Sequence, residues 1–400
     1  MPIPLKVYLD SSDFSVLSDP KQLASPTVTA VRAQLFAWKS TGEVDFFYSA
    51  VHVIEAAAVE AEHTDKAKER AQLIYDLCGK NVLDTFSEIL RREGLALAGQ
   101  RADCNFFRTD GQWFPHDQVA TAFSKMQQLT LEDLKPRDIK PKTWRIVKAN
   151  PALQAELFAT ARYHLNVNKE SKIAEIMSTF SIEYADADFL HQFALGEKSR
   201  AELSQFIRER LCNPTFFIQM RPSNYNGLST LFDWMRSHSA SLYQTISNVA
   251  NTLQAICDGA EDSEAAARLI AEASTDAGLQ ENTIRLYEQI ARNMFTREEM
   301  CIVEKLSLDD FARLAPGSYA FVSIAVDTIF RSFGNIPRRH KQSDMVDMLH
   351  SFYAPYVDVY RTDGFMTPIT AKYVRKFDTT VVGKLADLVD CISKILAGKS

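Results

Sequence analysis

An α/β fold, built as a short parallel sheet flanked by helices and interrupted by a large all-helical insertion, follows from three observations. Short apolar, partly β-branched runs lie near both ends of the 400-residue chain. Each is followed by a helical pattern, the alternation that builds parallel sheets. Between the two ends strand signals become scarce, and apolar residues recur at three- and four-residue spacing.

The first strand is expected in LKVYL (5–9), ending at Asp10. Ser25 and Pro26 supply an N-cap and a first-turn proline, so a helix runs to about Ser40 and stops at Thr41-Gly42. VDFFYS (44–49) is the second strand, and AVHVIEAAAVEAEH (50–63) reads as a helix. Two more helices are expected at about 65–79 and 84–96. Amphipathic segments follow at roughly 116–130, 150–164, 168–180, 199–211, 227–258, 263–277 and 280–296. The last 65 residues return to mixed character: a helix in QSDMVDMLHSFYAPY, a strand in VDVYRT before Asp363, a helix around Pro368, a short strand in DTTVV and a terminal helix. The expected organisation is therefore 1–97 and 335–400 as two parts of one α/β domain, with 98–334 as a helical insertion. Chain ends that lie close in space make such an insertion tolerable.

The hydrophobic share of 46% and charged share of 24% are those of an ordinary globular protein. With 14 glycines and 14 prolines, long low-complexity tracts are excluded. The net charge of −6 argues against a large nonspecific polyanion-binding surface but leaves room for a local basic groove. None of the six cysteines forms a CxxC pair, so free thiols and a cytoplasmic location are expected. No apolar run is long enough for a signal peptide or a membrane span.

Phosphodiester hydrolysis by metal ions needs several carboxylates in a small volume, because Mg²⁺ and Mn²⁺ prefer hard oxygen ligands. In an open parallel sheet that volume lies beyond the carboxyl ends of the strands. Asp10 ends the first strand. Glu55 sits on the helix after the second. Asp344 and Asp347 lie three apart on one helical face, and Asp363 follows the strand VDVYR. His350 is one turn beyond Asp347.

These segments resemble the motifs of the PIN-domain nuclease family. YLDSSDFSVL is similar to the family's opening strand, with an Asp followed two residues later by a small polar residue. YSAVHVIEAA resembles the second motif, a strand, a small polar residue and a helical Glu. DMLHSFYAPYVDVYRTD resembles the third and fourth motifs. The resemblance covers roughly 1–97 and 335–400. It implies that Asp10, Glu55, Asp347 and Asp363 are the catalytic and metal-binding acids, with Asp344 competing with Asp347 for the third place and Ser12 as the accompanying polar residue. It implies Mg²⁺ or Mn²⁺ as cofactor and RNA as the usual substrate, and, by analogy, a part in toxin–antitoxin or phage-defence systems.

Substrate contacts are expected at Ser12, at His350 and at the cations Arg338, Arg339 and Lys341, just before the third acidic motif. LKPRDIKPKTWRIVK offers further cations around Trp144, which either stacks on a base or packs in the core. The insertion is expected to set substrate choice or to hold a second copy or a protein partner. The alternative readings are an inactive PIN-like scaffold, with the insertion as interaction module, and a metal-dependent phosphatase acting on a small molecule.

Overall fold

The computed structural model describes residues 3–57, 63–100, 103–114, 131–132, 134–135, 139–180, 182–220, 244, 248, 268, 271–292, 307–332 and 342–399. The helices expected at 116–130 and 227–258 lie outside these, apart from isolated residues of the latter. The chain divides into two units. The first is 1–56, 69–113 and 235–400; the second is 57–68 and 114–234.

The first unit holds every strand among the described residues. They are β1 (Leu5–Tyr8), β2 (Val44–Phe47), β3 (Val82–Leu83), β4 (Phe107–Arg108), β5 (Val359–Arg361) and β6 (Thr380–Val382). β2, β1, β5 and β6 form a parallel sheet in that order, and β3 and β4 pair antiparallel. Tyr8 of β1 is level with Phe47 of β2 and with Tyr360 of β5. The carboxyl ends of three neighbouring strands therefore reach one edge together. The buried ring of Tyr8 stacks on Tyr353 at 5.6 Å and on Tyr360 at 5.7 Å, which fixes the centre of the sheet.

The helices of this part of the chain are α1 (Ser11–Ser18), α2 (Pro26–Thr41), α3 (Ala50–Ala56), α4 (Thr64–Cys78), α5 (Phe86–Leu97) and, later, α6 (Asp276–Arg292). α2 has its proline in the first turn and ends at Gly42, whose φ of +70° lets its N–H cap the Trp38 and Lys39 carbonyls. α6 starts at Asp276, earlier than the expected segment at 280–296. Thr275 ends the preceding turn, and its hydroxyl accepts from the Gly278 N–H at 3.1 Å.

Then follow α7 (Leu308–Leu314), α8 (Pro316–Ser332), α9 (Gln342–Ser351), α10 (Met366–Val374) and α11 (Leu385–Lys399). α9 is shorter than the segment through Tyr356 suggested. Pro355 lies in a separate 3-10 turn (Ala354–Tyr356) before β5. Pro368 falls in the first turn of α10, where its missing N–H is harmless.

α8 comes from the stretch 98–334, yet it belongs to the sheet-bearing unit. Ala320, Ile324, Ala325 and Ile329 are almost fully buried, and α8 packs on α5, α6, α9 and α10. A helix buried on most of its sides is a core element, which periodicity alone does not distinguish from part of a separate bundle. Within the same unit Asp327 of α8 accepts from the Tyr373 hydroxyl at 2.8 Å and from Arg331 Nε at 2.5 Å.

The second unit is helical among its described residues, with helices at Pro141–Ala149, Pro151–Val167, Lys169–Phe180, Tyr184–Ala194, Arg200–Leu211 and Pro214–Met220. Leu190, Phe193, Leu203, Ile207 and Phe217 form its interior, and Trp144 is buried, the core alternative for that residue. Among the described residues no helix is long and apolar enough to cross a membrane.

Candidate functional site

The carboxyl edge of the sheet is organised by Asp10. It caps α1, accepting from the Ser12 N–H at 2.7 Å, while its own N–H donates to Asp13 Oδ2 at 3.1 Å. Asp13 is thus the reciprocal partner in a capping box. It is buried and faces Arg361, at the end of β5, at 2.9 Å. Burial pushes Asp13 up to about 7, with Arg361 opposing and Asp10 adding to the rise.

α3 is locked to β1 by His52. The Ser49 N–H donates to its Nδ1 at 3.1 Å, so Nε2 carries the proton and donates to the Leu9 carbonyl at 2.8 Å. Burial first, then the charge of His350, lowers His52 to about 3 and keeps it neutral. One turn on, Glu55 is held by its side chain and by its backbone. His350 Nε2 donates to Oε2 at 2.6 Å, and Arg70 Nη1 donates to the Glu55 carbonyl at 2.9 Å.

His350 is buried on α9. Its Nδ1 lies 2.7 Å from the Tyr8 hydroxyl, which lies 2.8 Å from Ser49 Oγ. The Ser11 hydroxyl lies 3.1 Å from Nε2 and also hydrogen-bonds Glu55. Burial disfavours ionisation of both partners, but their bond outweighs it. Glu55 is held below the usual carboxylate range and His350 above the usual imidazole range, so the two form an ion pair. In that state Nδ1–H donates to the Tyr8 oxygen, and the Tyr8 hydroxyl donates to Ser49.

Asp347 lies one turn before His350, on the same face of α9, and is half-buried. Burial, then Asp10, with smaller contributions from Asp363 and Glu55, pushes it up to about 7 against the opposing charge of His350. Among the described residues nothing donates a hydrogen bond to it. Asp363 follows β5, is half-buried, and accepts from the Met366 N–H at 2.6 Å at the start of α10. Thr362, beside it, is buried, and its N–H donates to the Val382 carbonyl at 3.1 Å.

Asp10, Glu55, Asp347 and Asp363 are therefore drawn from four segments of the first unit to one edge of its sheet. Ser12 is exposed and contributes its N–H to Asp10. Its neighbour Ser11 supplies the hydroxyl that faces His350. Asp344 is within α9, but its side chain lies outside the description, as do Arg338, Arg339 and Lys341 entirely. Tyr8, Ser11, Arg70 and Arg361 went unread in the sequence. A usable signal existed for Tyr8, since strand parity puts it on the same face as Asp10. Ser11 and Arg70 carried none.

Among the described residues no group of three or more His, Cys, Asp or Glu side chains is arranged to hold a metal ion. Glu55, Asp10 and Asp363 are instead turned to protein donors. No family model, curated protein or solved structure matches the chain.

Proposed function

We propose that the chain is a PIN-like, metal-dependent nuclease that hydrolyses phosphodiester bonds, with RNA as substrate. One observation carries the reading: carboxylates from four separate segments gather at the carboxyl edge of a parallel sheet, and the half-buried Asp347 among them has no donor among the described residues. Evolved folds rarely leave such a group without compensation except at functional sites. The donor set is all hard oxygen, which suits Mg²⁺ or Mn²⁺.

Asp347 and Asp10 would hold the ion, with Glu55 and Asp363 completing the set, Glu55 through the oxygen opposite the one that His350 holds and Asp363 through the oxygen opposite the one that the Met366 N–H holds. Asp344 remains the competitor of Asp347. A bound ion supplies an activated water and stabilises charge on the phosphoryl oxygens. The acids bind and orient, and the strand ends that carry them keep their spacing fixed. Arg338, Arg339 and Lys341, which come shortly before α9 in the sequence, are proposed to contact the substrate backbone. Toxin–antitoxin or phage defence in the cytoplasm is the setting proposed by analogy.

The test is incubation of labelled RNA and single-stranded DNA with Mn²⁺, using the wild type, Asp10→Asn and Asp347→Asn. Cleavage by the wild type alone is expected. Equal cleavage by all three overturns the reading. The engagement of Glu55 by His350 favours a second reading, an inactive scaffold that keeps the fold. Thermal stabilisation by Mn²⁺ that disappears in Asp10→Asn decides against it.

A further inference from the structure

The route from β1 to Glu55 is built with more care than an ordinary helix–strand contact. Tyr8 is fully buried, and its ring is sandwiched by Tyr353 and Tyr360. A phenylalanine would satisfy that packing. The hydroxyl does something else: it spans Ser49 Oγ at 2.8 Å and His350 Nδ1 at 2.7 Å. An imidazole held at Nδ1 has one freedom left, rotation about its Cβ–Cγ bond, and this contact removes it. Nε2 is then aimed at Glu55 Oε2, 2.6 Å away. The Glu55 main chain is fixed independently by Arg70. With its backbone and one carboxylate oxygen fixed, the direction of the other oxygen is set.

We propose that Tyr8 and His350 are positioning residues, a buried relay that orients the Glu55 carboxylate so that its second oxygen faces the ion held with Asp10 and Asp347. The proposal rests on the nuclease reading and deepens it. Neither residue touches substrate. Both act through Glu55, as groups behind metal ligands do by fixing ligand orientation.

The test measures the Mn²⁺ dependence of RNA cleavage, and Mn²⁺ binding by calorimetry, for the full chain and for His350→Leu, His350→Gln and Tyr8→Phe. Loss of such a partner costs about 10–100-fold in metal affinity. His350→Leu is expected to raise the half-saturating Mn²⁺ concentration by that factor, with the cleavage rate recovering at saturating Mn²⁺. Tyr8→Phe shifts it in the same direction. His350→Gln, which restores a donor near the Nε2 position, recovers most of the loss. A general loss of structure would lower the rate at all Mn²⁺ concentrations instead. If His350→Leu does not fold, Tyr8→Phe, which keeps the ring, carries the test.

A wild type that neither binds Mn²⁺ nor cuts RNA sinks the nuclease reading itself. An active wild type with His350→Leu or Tyr8→Phe sharing its Mn²⁺ dependence sinks the relay alone. So does His350→Gln behaving as His350→Leu.

Discussion

Replacing Glu93 by Gln isolates a buried charge that has nothing to do with the proposed chemistry. Glu93 lies on α5 and is fully buried. Its carboxylate accepts from the Gly317 N–H at 2.7 Å, the Ser318 N–H at 2.9 Å, the Ser318 hydroxyl at 2.5 Å and the Tyr356 hydroxyl. It thereby caps the amino end of α8, where the first N–H groups have no partner in the helix. Burial outweighs these bonds and pushes the group from 4.5 up to about 6. A raised acid contributes stability that is fully present below its unfolded value and is lost as pH rises through the folded value. The loss, between roughly pH 4 and 7, is about 2 kcal/mol at 1.36 kcal/mol per pH unit.

Glutamine cannot ionise, so that slope disappears. Its amide nitrogen also faces donors, and two orphaned donors cost about 2–6 kcal/mol together. Urea titrations followed by tryptophan fluorescence should therefore show Glu93→Gln less stable than the wild type at pH 4. The gap should narrow by about 2 kcal/mol at pH 8. A gap that stays constant with pH would refute the assignment of a protonation change to Glu93.

Three further outcomes are expected from the same titrations. Arg361→Met leaves Asp13 buried without its counter-ion and should cost about 3–5 kcal/mol, and adding Asp13→Asn should recover most of it. An unchanged midpoint in Arg361→Met would show that the pair contributes nothing. His52→Leu orphans the Ser49 N–H and the Leu9 carbonyl and should cost about 2–6 kcal/mol, while His52→Gln retains part of the stability; equal losses in the two would rule out the clamp. Leu388→Ala, at a position of α11 with no exposure, should cost about 2–5 kcal/mol, and a loss well below that would mean that the site collapses around the smaller side chain.

The strands and the acids beside them were legible because both signals are local. LKVYL, VDFF and VYR are short apolar runs, and Asp10, Glu55 and Asp363 follow them at fixed distances along the chain. What joined the acids was not local. Tyr8 reads as one more aromatic in a strand, and nothing nearby says that its hydroxyl meets a histidine hundreds of residues later. Ser11 and Ser12 are equivalent in sequence, and only the cap formed by Asp10 turns the first inward and leaves the second exposed. The limits of the helical stretch failed for a related reason. The apolar residues of α8 say that it is buried, not against which partner, and its contacts place it among α5, α6, α9 and α10 of the sheet-bearing unit. Trp144 stayed ambiguous between stacking and packing until its surroundings were known.

β1 lies between β2 and β5, and the Lys6 N–H donates to Asp358 Oδ2 across 352 positions of chain. A ribosome adding about 5–20 residues per second needs on the order of 20–70 s to make that interval. Throughout it, β1 waits with one flank open, a template for pairing with whatever strand comes by. The carboxylate edge is likewise incomplete until α9, β5 and Asp363 have left the exit tunnel. A chain truncated anywhere before α9 lacks Asp347, His350 and Asp363 together. Synthesis itself thus delays the assembly of the edge until those segments have been made.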